Sequence, residues 1–131
     1  MAKISSYRDL RIWQEAVKLA LAVYRATVAF PKHELYGLTS QMRRAAVSIP
    51  SNIAEGKGHR SDGDFGRFLF HARGSLLELQ TQIVIAQGLE YLTDDAAAKL
   101  TQATDDLGRG LNGLIQSVRG TFRTFALAND E

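Results

Sequence analysis

The chain has no cysteine in its 131 residues, which excludes disulfides and thiolate metal sites and fits a reducing compartment. Prolines number only two, so few places force the backbone out of a helix. No apolar run approaches the roughly 18 residues that a membrane span needs. The opening MAKISSYRDL has no apolar signal-peptide core, and a cytoplasmic protein with no membrane role is expected. What is present is ample apolar residue, 45%, without any low-complexity tract, enough for one folded domain over residues 1–131.

Net charge is only +2, but it is unevenly spread. Residues 1–75 carry 12 Lys and Arg against 6 Asp and Glu, and residues 76–131 carry 4 against 8. Eleven of the sixteen cations are arginine, the residue suited to forked contacts with phosphate or carboxylate. Two readings stand at this point: the halves neutralise each other within or between molecules, or the first half presents a face to a polyanion.

Apolar residues recur at three and four almost throughout, which predicts an all-α fold. Four helices are expected, at about 7–29, 38–57, 62–89 and 94–122, joined by short connections into an antiparallel up-and-down bundle. In the first, Leu10, Trp13, Val17, Ala20 and Tyr24 form the expected core seam. The third repeats Phe65, Leu69, Ala72, Leu76, Leu79, Ile83, Ala86 and Glu90, and the fourth Leu100, Ala103, Leu107, Leu111, Leu114, Val118 and Phe122.

The first helix has a second apolar stripe, Ile12, Ala16, Leu19 and Val23, and the two together span about 200°. On the third, Phe70, Leu77 and Val84 lie well round from the seam, interleaved with Gly74, Thr81 and Gly88. A four-helix core cannot use so much apolar surface, so both sets are expected to form subunit interfaces of a homo-oligomer.

Catalytic signatures are missing. No two of His33, His59 and His71 stand at helical spacing, no serine sits in a nucleophile elbow, and no acid–base pair is visible, so no enzyme, metal or cofactor is expected. Residues 108–113 read GRGLNG and match the dinucleotide fingerprint G-x-G-x-x-G. That fingerprint binds pyrophosphate only where a strand meets an open helix N-terminus, whereas here the amides lie inside a helix. Close approach of a neighbouring backbone is the expected reason for these glycines.

The stretch AAVSIPSNIAEGKG places Pro50 in mid-helix, where a proline costs about 3 kcal/mol. The seam Met42, Ala46, Ile49, Ile53, Gly56 keeps its phase through the proline, so one helix kinked at Pro50 is expected. Ser51, another side chain or a water could take up the freed carbonyl of Ala46. The opposite stripe, Gln41, Arg44, Ser48, Asn52 and Glu55, is polar, and with Arg43 it could be either a structural network or a ligand site.

LTSQMRRAAVSIPSNIAEG, preceded by FPKHELYG and followed by FHARGSLLELQTQI, resembles the bacterial four-helix-bundle family encoded in intervening sequences of 23S ribosomal RNA genes. The resemblance runs from about Tyr7 to Val118, and SIPSNIAEG is its most specific block. Members are sometimes labelled ribosomal proteins. The family is similar in fold to accessory proteins of diversity-generating retroelements, whose pentameric rings engage nucleic acid and a reverse transcriptase. The resemblance therefore implies a pentamer of largely uncharacterised function that binds RNA or DNA. The contacts expected are Arg8, Arg11, Lys18 and Arg25 on the polar arc of the first helix, with Lys57 and Arg60 in the loop between the second and third helices. A protein-interaction scaffold with no nucleic-acid role is the competing expectation.

Overall fold

The computed structural model describes residues 6–59 and 61–130, with side chains through Gly120. Its helices are α1 (Arg11–Thr27), α2 (Leu38–Gly58), α3 (Asp62–Gly88) and α4 (Asp94–Asp130), with no strand among the described residues. They form an all-α, up-and-down four-helix bundle in which each helix packs on its sequence neighbours and α4 closes back on α1.

The ends of the helices follow from local hydrogen bonding. The expected start at Tyr7 is displaced, because Tyr7–Asp9 is a separate 3₁₀ turn followed by extended Leu10. Ser6 Oγ accepts from the Arg8 amide at 3.2 Å, and Gln14 Nε2 donates to the Arg8 carbonyl at 2.8 Å. These side chains take the groups that a continuous helix would have used. α1 stops at Thr27, whose hydroxyl bonds back to the Val23 carbonyl at 2.9 Å. Ser61 Oγ caps α3 through the Asp64 amide, and Thr93 Oγ1 caps α4 through the Ala96 amide, each at 3.1 Å. α4 runs on past the expected end at 122, since neither Pro nor Gly follows Gly120; the side chain of Phe122 lies outside the described set.

The cap before α2 is less ordinary. Glu34 Oε1 accepts from the Leu38 amide at 3.2 Å, four residues on. A Cβ on Gly37 would stand 2.6 Å from that same oxygen, so the glycine makes room for the capping carboxylate. Between α3 and α4, Glu90 adopts φ 64, while the Tyr91 amide bonds the Ala86 carbonyl at 2.9 Å and the Glu90 amide that of Gln87 at 3.0 Å. This is a Schellman closure with glutamate at the left-handed position usually given to glycine. Glu90 therefore leaves the helix and is not a seam member.

The α2 and α3 seams are buried as the periodicity predicts, from Met42 through Gly56 and from Phe65 through Ala86. α2 passes through buried Pro50 without a break. Ser51 Oγ bonds the Val47 carbonyl at 2.8 Å, not that of Ala46.

On α1 the two stripes exchange roles. Ile12, Ala16, Leu19 and Val23 are buried in the core of the single chain, so they are not an outer interface. Trp13 and Ala20 only flank the core, and Tyr24 is exposed. Both stripes are apolar and adjacent, so periodicity alone could not say which one the other helices cover. The glycines of GRGLNG also have a different setting. A Cβ on Gly113 would meet nothing, one on Gly110 only Ile12 Cδ1 at 4.0 Å, and one on Gly108 only Leu76 Cδ2 at 3.4 Å. Among the described residues no backbone of another helix comes close to them.

Candidate nucleic-acid and assembly surfaces

The polar residues around Pro50 divide into two inward contacts and an exposed remainder. Asn52 Nδ2 donates to the Ser48 carbonyl at 2.8 Å and to its Oγ at 3.0 Å, and Ser75 Oγ of α3 reaches Ser48 Oγ at 2.9 Å. This half-buried chain fixes the level of α3 against α2. Toward α1, Arg43 Nε donates to Thr27 Oγ1 at 2.9 Å, and the guanidinium lies 4.8 Å from the centre of the Tyr24 ring. Arg44 and Glu55 are exposed, and neither they nor Arg43 join an ion pair among the described residues.

The expected cationic residues are placed unevenly. Arg11, Lys18 and Arg25 are exposed on one flank of α1 at seven-residue spacing, steps of about 10.5 Å. Arg11 is held by Glu15 at 2.9 Å, and Arg11 and Lys18 edge a groove of about 780 Å³ between α1 and α4. Across it, Arg109 pairs with Asp106. Arg8 sits in the preceding turn against the Tyr7 ring, 5.8 Å from its centre. Lys57 is not in a loop: it belongs to the last turn of α2, half-buried, with its ammonium 5.8 Å from the centre of the Phe65 ring. Arg60 lies outside the described residues.

A second basic cluster escaped the sequence reading. The Arg67 guanidinium lies 4.9 Å from the centre of the Phe68 ring, and those of Arg73 and Arg119 lie 5.8 and 5.3 Å from that of Phe70. Arg67, Phe70, His71, Gly74 and Arg119 line a cavity of about 950 Å³ on the α3–α4 side, which Asp62 and Glu78 also edge. The run Arg67, Phe70, Arg73 at three-residue spacing was a visible signal, but Arg119 joins only through tertiary structure. Phe70, Leu77 and Val84 are exposed along this flank.

At the other end of the bundle, Glu34 Oε2 accepts from the Tyr91 hydroxyl at 2.9 Å, with His33 Nε2 at 3.4 Å from the same hydroxyl. The Leu38 amide first, and then the Tyr91 hydroxyl, hold the Glu34 carboxyl below its ordinary range, and the carboxylate in turn raises Tyr91. This pair ties the α1–α2 connection to the α3–α4 connection. Among the described residues no cluster of three or more His, Asp or Glu could hold a metal, and no helix is long and apolar enough to cross a membrane.

The 23S rRNA-intervening sequence protein profile matches residues 8–113, which include both polar contacts around Pro50 and the basic flank of α1. The chain belongs to this family. A similar solved structure is that of a protein with unknown function from the S23 ribosomal protein family of Bacteroides thetaiotaomicron VPI-5482. It is 20% identical, with a TM-score of 0.72, and the match covers 79% of this chain and 97% of that one. At that identity the likeness speaks for the shared four-helix fold alone. No curated protein matches the sequence. The intervening-sequence family thus accounts for the bundle and for the block around Pro50, while the activity must be argued from the surfaces.

Proposed function

We propose that this protein is a non-enzymatic, cytoplasmic homo-oligomer that binds the RNA or DNA backbone electrostatically, without reading sequence. The observation that carries the reading is the flank of α1 on which Arg11, Lys18 and Arg25 repeat at one-heptad intervals, exposed and pointing away from the core. Lys18 and Arg25 have no carboxylate partner among the described residues. Such a flank is modest in one chain, but an assembly repeats it in every copy, and the resemblance favours five. Weak phosphate contacts then add through effective concentration. Exposed Phe70, Leu77 and Val84 support the oligomer, since an apolar stripe of this length favours a covering partner.

The test is titration of the purified protein with mixed-sequence RNA and DNA at 50 and 200 mM salt. Binding at low salt that weakens steeply at the higher salt, and that is reduced by Lys18→Gln together with Arg25→Gln, is the expected result. Each lost phosphate contact should lower the slope of log K against log salt by about 0.9 on duplex DNA. No binding even at 50 mM would overturn the reading in favour of a protein-interaction scaffold.

A further inference from the structure

Phe70 opens the exposed stripe that runs on through Leu77 and Val84, and it is 41% exposed. The guanidiniums of Arg73 and Arg119 stand 5.8 and 5.3 Å from its ring centre. On α3, Arg67 and Arg73 leave the helix about 60° to either side of Phe70, because three residues turn through about 300°. Gly74 follows one turn on, and a Cβ there would meet nothing within 4 Å, so that side of the ring is uncovered. An accessible aromatic ring among arginines, in the wall of a cavity of about 950 Å³, is thus the product of the order Arg67, Phe70, Arg73, Gly74 and of Arg119 arriving from α4.

The charges around this ring are not balanced. Arg73 and Arg119 join no ion pair among the described residues, and Arg67 has Asp64 at 3.5 Å. Two guanidiniums against one ring repel each other, and an anion beside them relieves the repulsion. An apolar protein surface laid over them would instead strip their water, a cost that only well-placed carboxylates offset. Asp62 and Glu78 edge the cavity eight residues before and after Phe70, about 12 Å along α3 in each direction. They confine an anionic ligand to the stretch between them. That length suits a tract at the lower end of the roughly 4–16 nucleotides that single-strand binding folds cover.

The ring decides which form of polyanion fits. Phosphate contacts alone make no use of an aromatic face. In a duplex the bases are stacked on one another, whereas an unpaired base has a free face to lay on an exposed ring and carries its phosphates to the cations nearby. We infer that the α3–α4 cavity binds single-stranded nucleic acid, with an unpaired base stacked on Phe70 and the adjoining phosphates held by Arg73 and Arg119. The site is separate from the basic flank of α1, since α1 and α3 pack on α2 and α4 and not on each other. The inference rests on the nucleic-acid reading proposed above, and adds to it a second site and the form of strand that this site takes. Leu77 and Val84 remain available to the assembly contact.

The test uses one labelled sequence of about 12 nucleotides, titrated as a single strand and as a duplex at 50 mM salt, with fluorescence anisotropy as the readout. Phe70→Leu should weaken single-strand binding about fivefold or more and leave duplex binding unchanged, and Phe70→Trp should keep the parent affinity or improve it. Arg73→Gln together with Arg119→Gln should lower the slope of log K against log salt by about 1.4 on the single strand. Both arginines are exposed, so this pair tests the site even if residue 70 also serves the assembly. Light scattering and circular dichroism confirm that each variant keeps its size and helix content. No binding of either form by the parent overturns the nucleic-acid reading and this inference together. Duplex binding without single-strand binding, or a Phe70→Leu variant that binds both forms like the parent or loses both equally, overturns the stacking site alone. Displacement of the single strand by a poly-glutamate peptide, lost in the arginine variant, would assign the cluster to an acidic protein partner instead.

Discussion

A Cβ built on Gly56 would stand 2.6 Å from the Cβ of Phe68 and 3.1 Å from Cδ1 of Phe65. No flexible side-chain end is available to move aside, because Phe68 Cβ is fixed to the α3 backbone. Gly56 is therefore a point of close approach between α2 and α3, six residues past Pro50 on the buried seam. Gly56→Ala gains about 1 kcal/mol of helix propensity and incurs overpacking of about 1–3 kcal/mol. A net loss of up to about 2 kcal/mol is expected in urea unfolding, and a variant more stable than the parent would mean that the helices do not approach this closely.

Glu34 predicts a pH dependence with a definite sign. Its carboxyl is held below the ordinary range by the Leu38 amide and the Tyr91 hydroxyl, so the folded state favours the ionised form. The stabilisation is fully present above the unfolded pKa and is lost as pH falls through the lower folded value. Glu34→Gln retains an acceptor for the Leu38 amide and lacks the titration. The thermal midpoint of the parent should fall more than that of the variant between about pH 5 and pH 3. Parallel curves would remove Glu34 from the acid response.

Gln82 offers a prediction of opposite direction. It is 95% buried on α3, and its Oε1 has no hydrogen-bond partner among the described residues. An unsatisfied buried acceptor costs about 1–3 kcal/mol. The nearly isosteric Gln82→Met should therefore raise stability by about 1 kcal/mol, measured by the urea midpoint. A loss of that size would show that Oε1 is satisfied by water.

How much of this was legible in the sequence depended on whether a feature was one helix's own or shared between helices. The α2 and α3 seams and the run through Pro50 were visible because spacing is local. On α1 two adjacent apolar stripes competed, and choosing between them required knowing where α2 and α4 lie, so Ile12, Ala16, Leu19 and Val23 were misplaced outward. Gln82 was also missed, since a glutamine beside a seam reads as surface. The Arg119–Phe70 contact joins α4 to α3 and has no local signature.

Glu90 closes the α3–α4 connection at φ 64, a conformation that costs an L-residue roughly 1–2 kcal/mol. Glu90→Gly removes that strain and adds some freedom to the unfolded chain, so a net gain of about 0.5–1 kcal/mol is expected. The side chain is exposed and makes no hydrogen bond or ion pair among the described residues, so little is lost with it. Asn should fall between Gly and Glu because its short polar side chain tolerates the left-handed region, and Ala, which keeps the Cβ, should gain nothing. The order Gly, Asn, then Glu and Ala in chemical denaturation is specific to backbone strain. A gain by Ala equal to that by Gly would instead trace the effect to loss of the glutamate charge near the negative end of α3, a rival cause acting in the same direction.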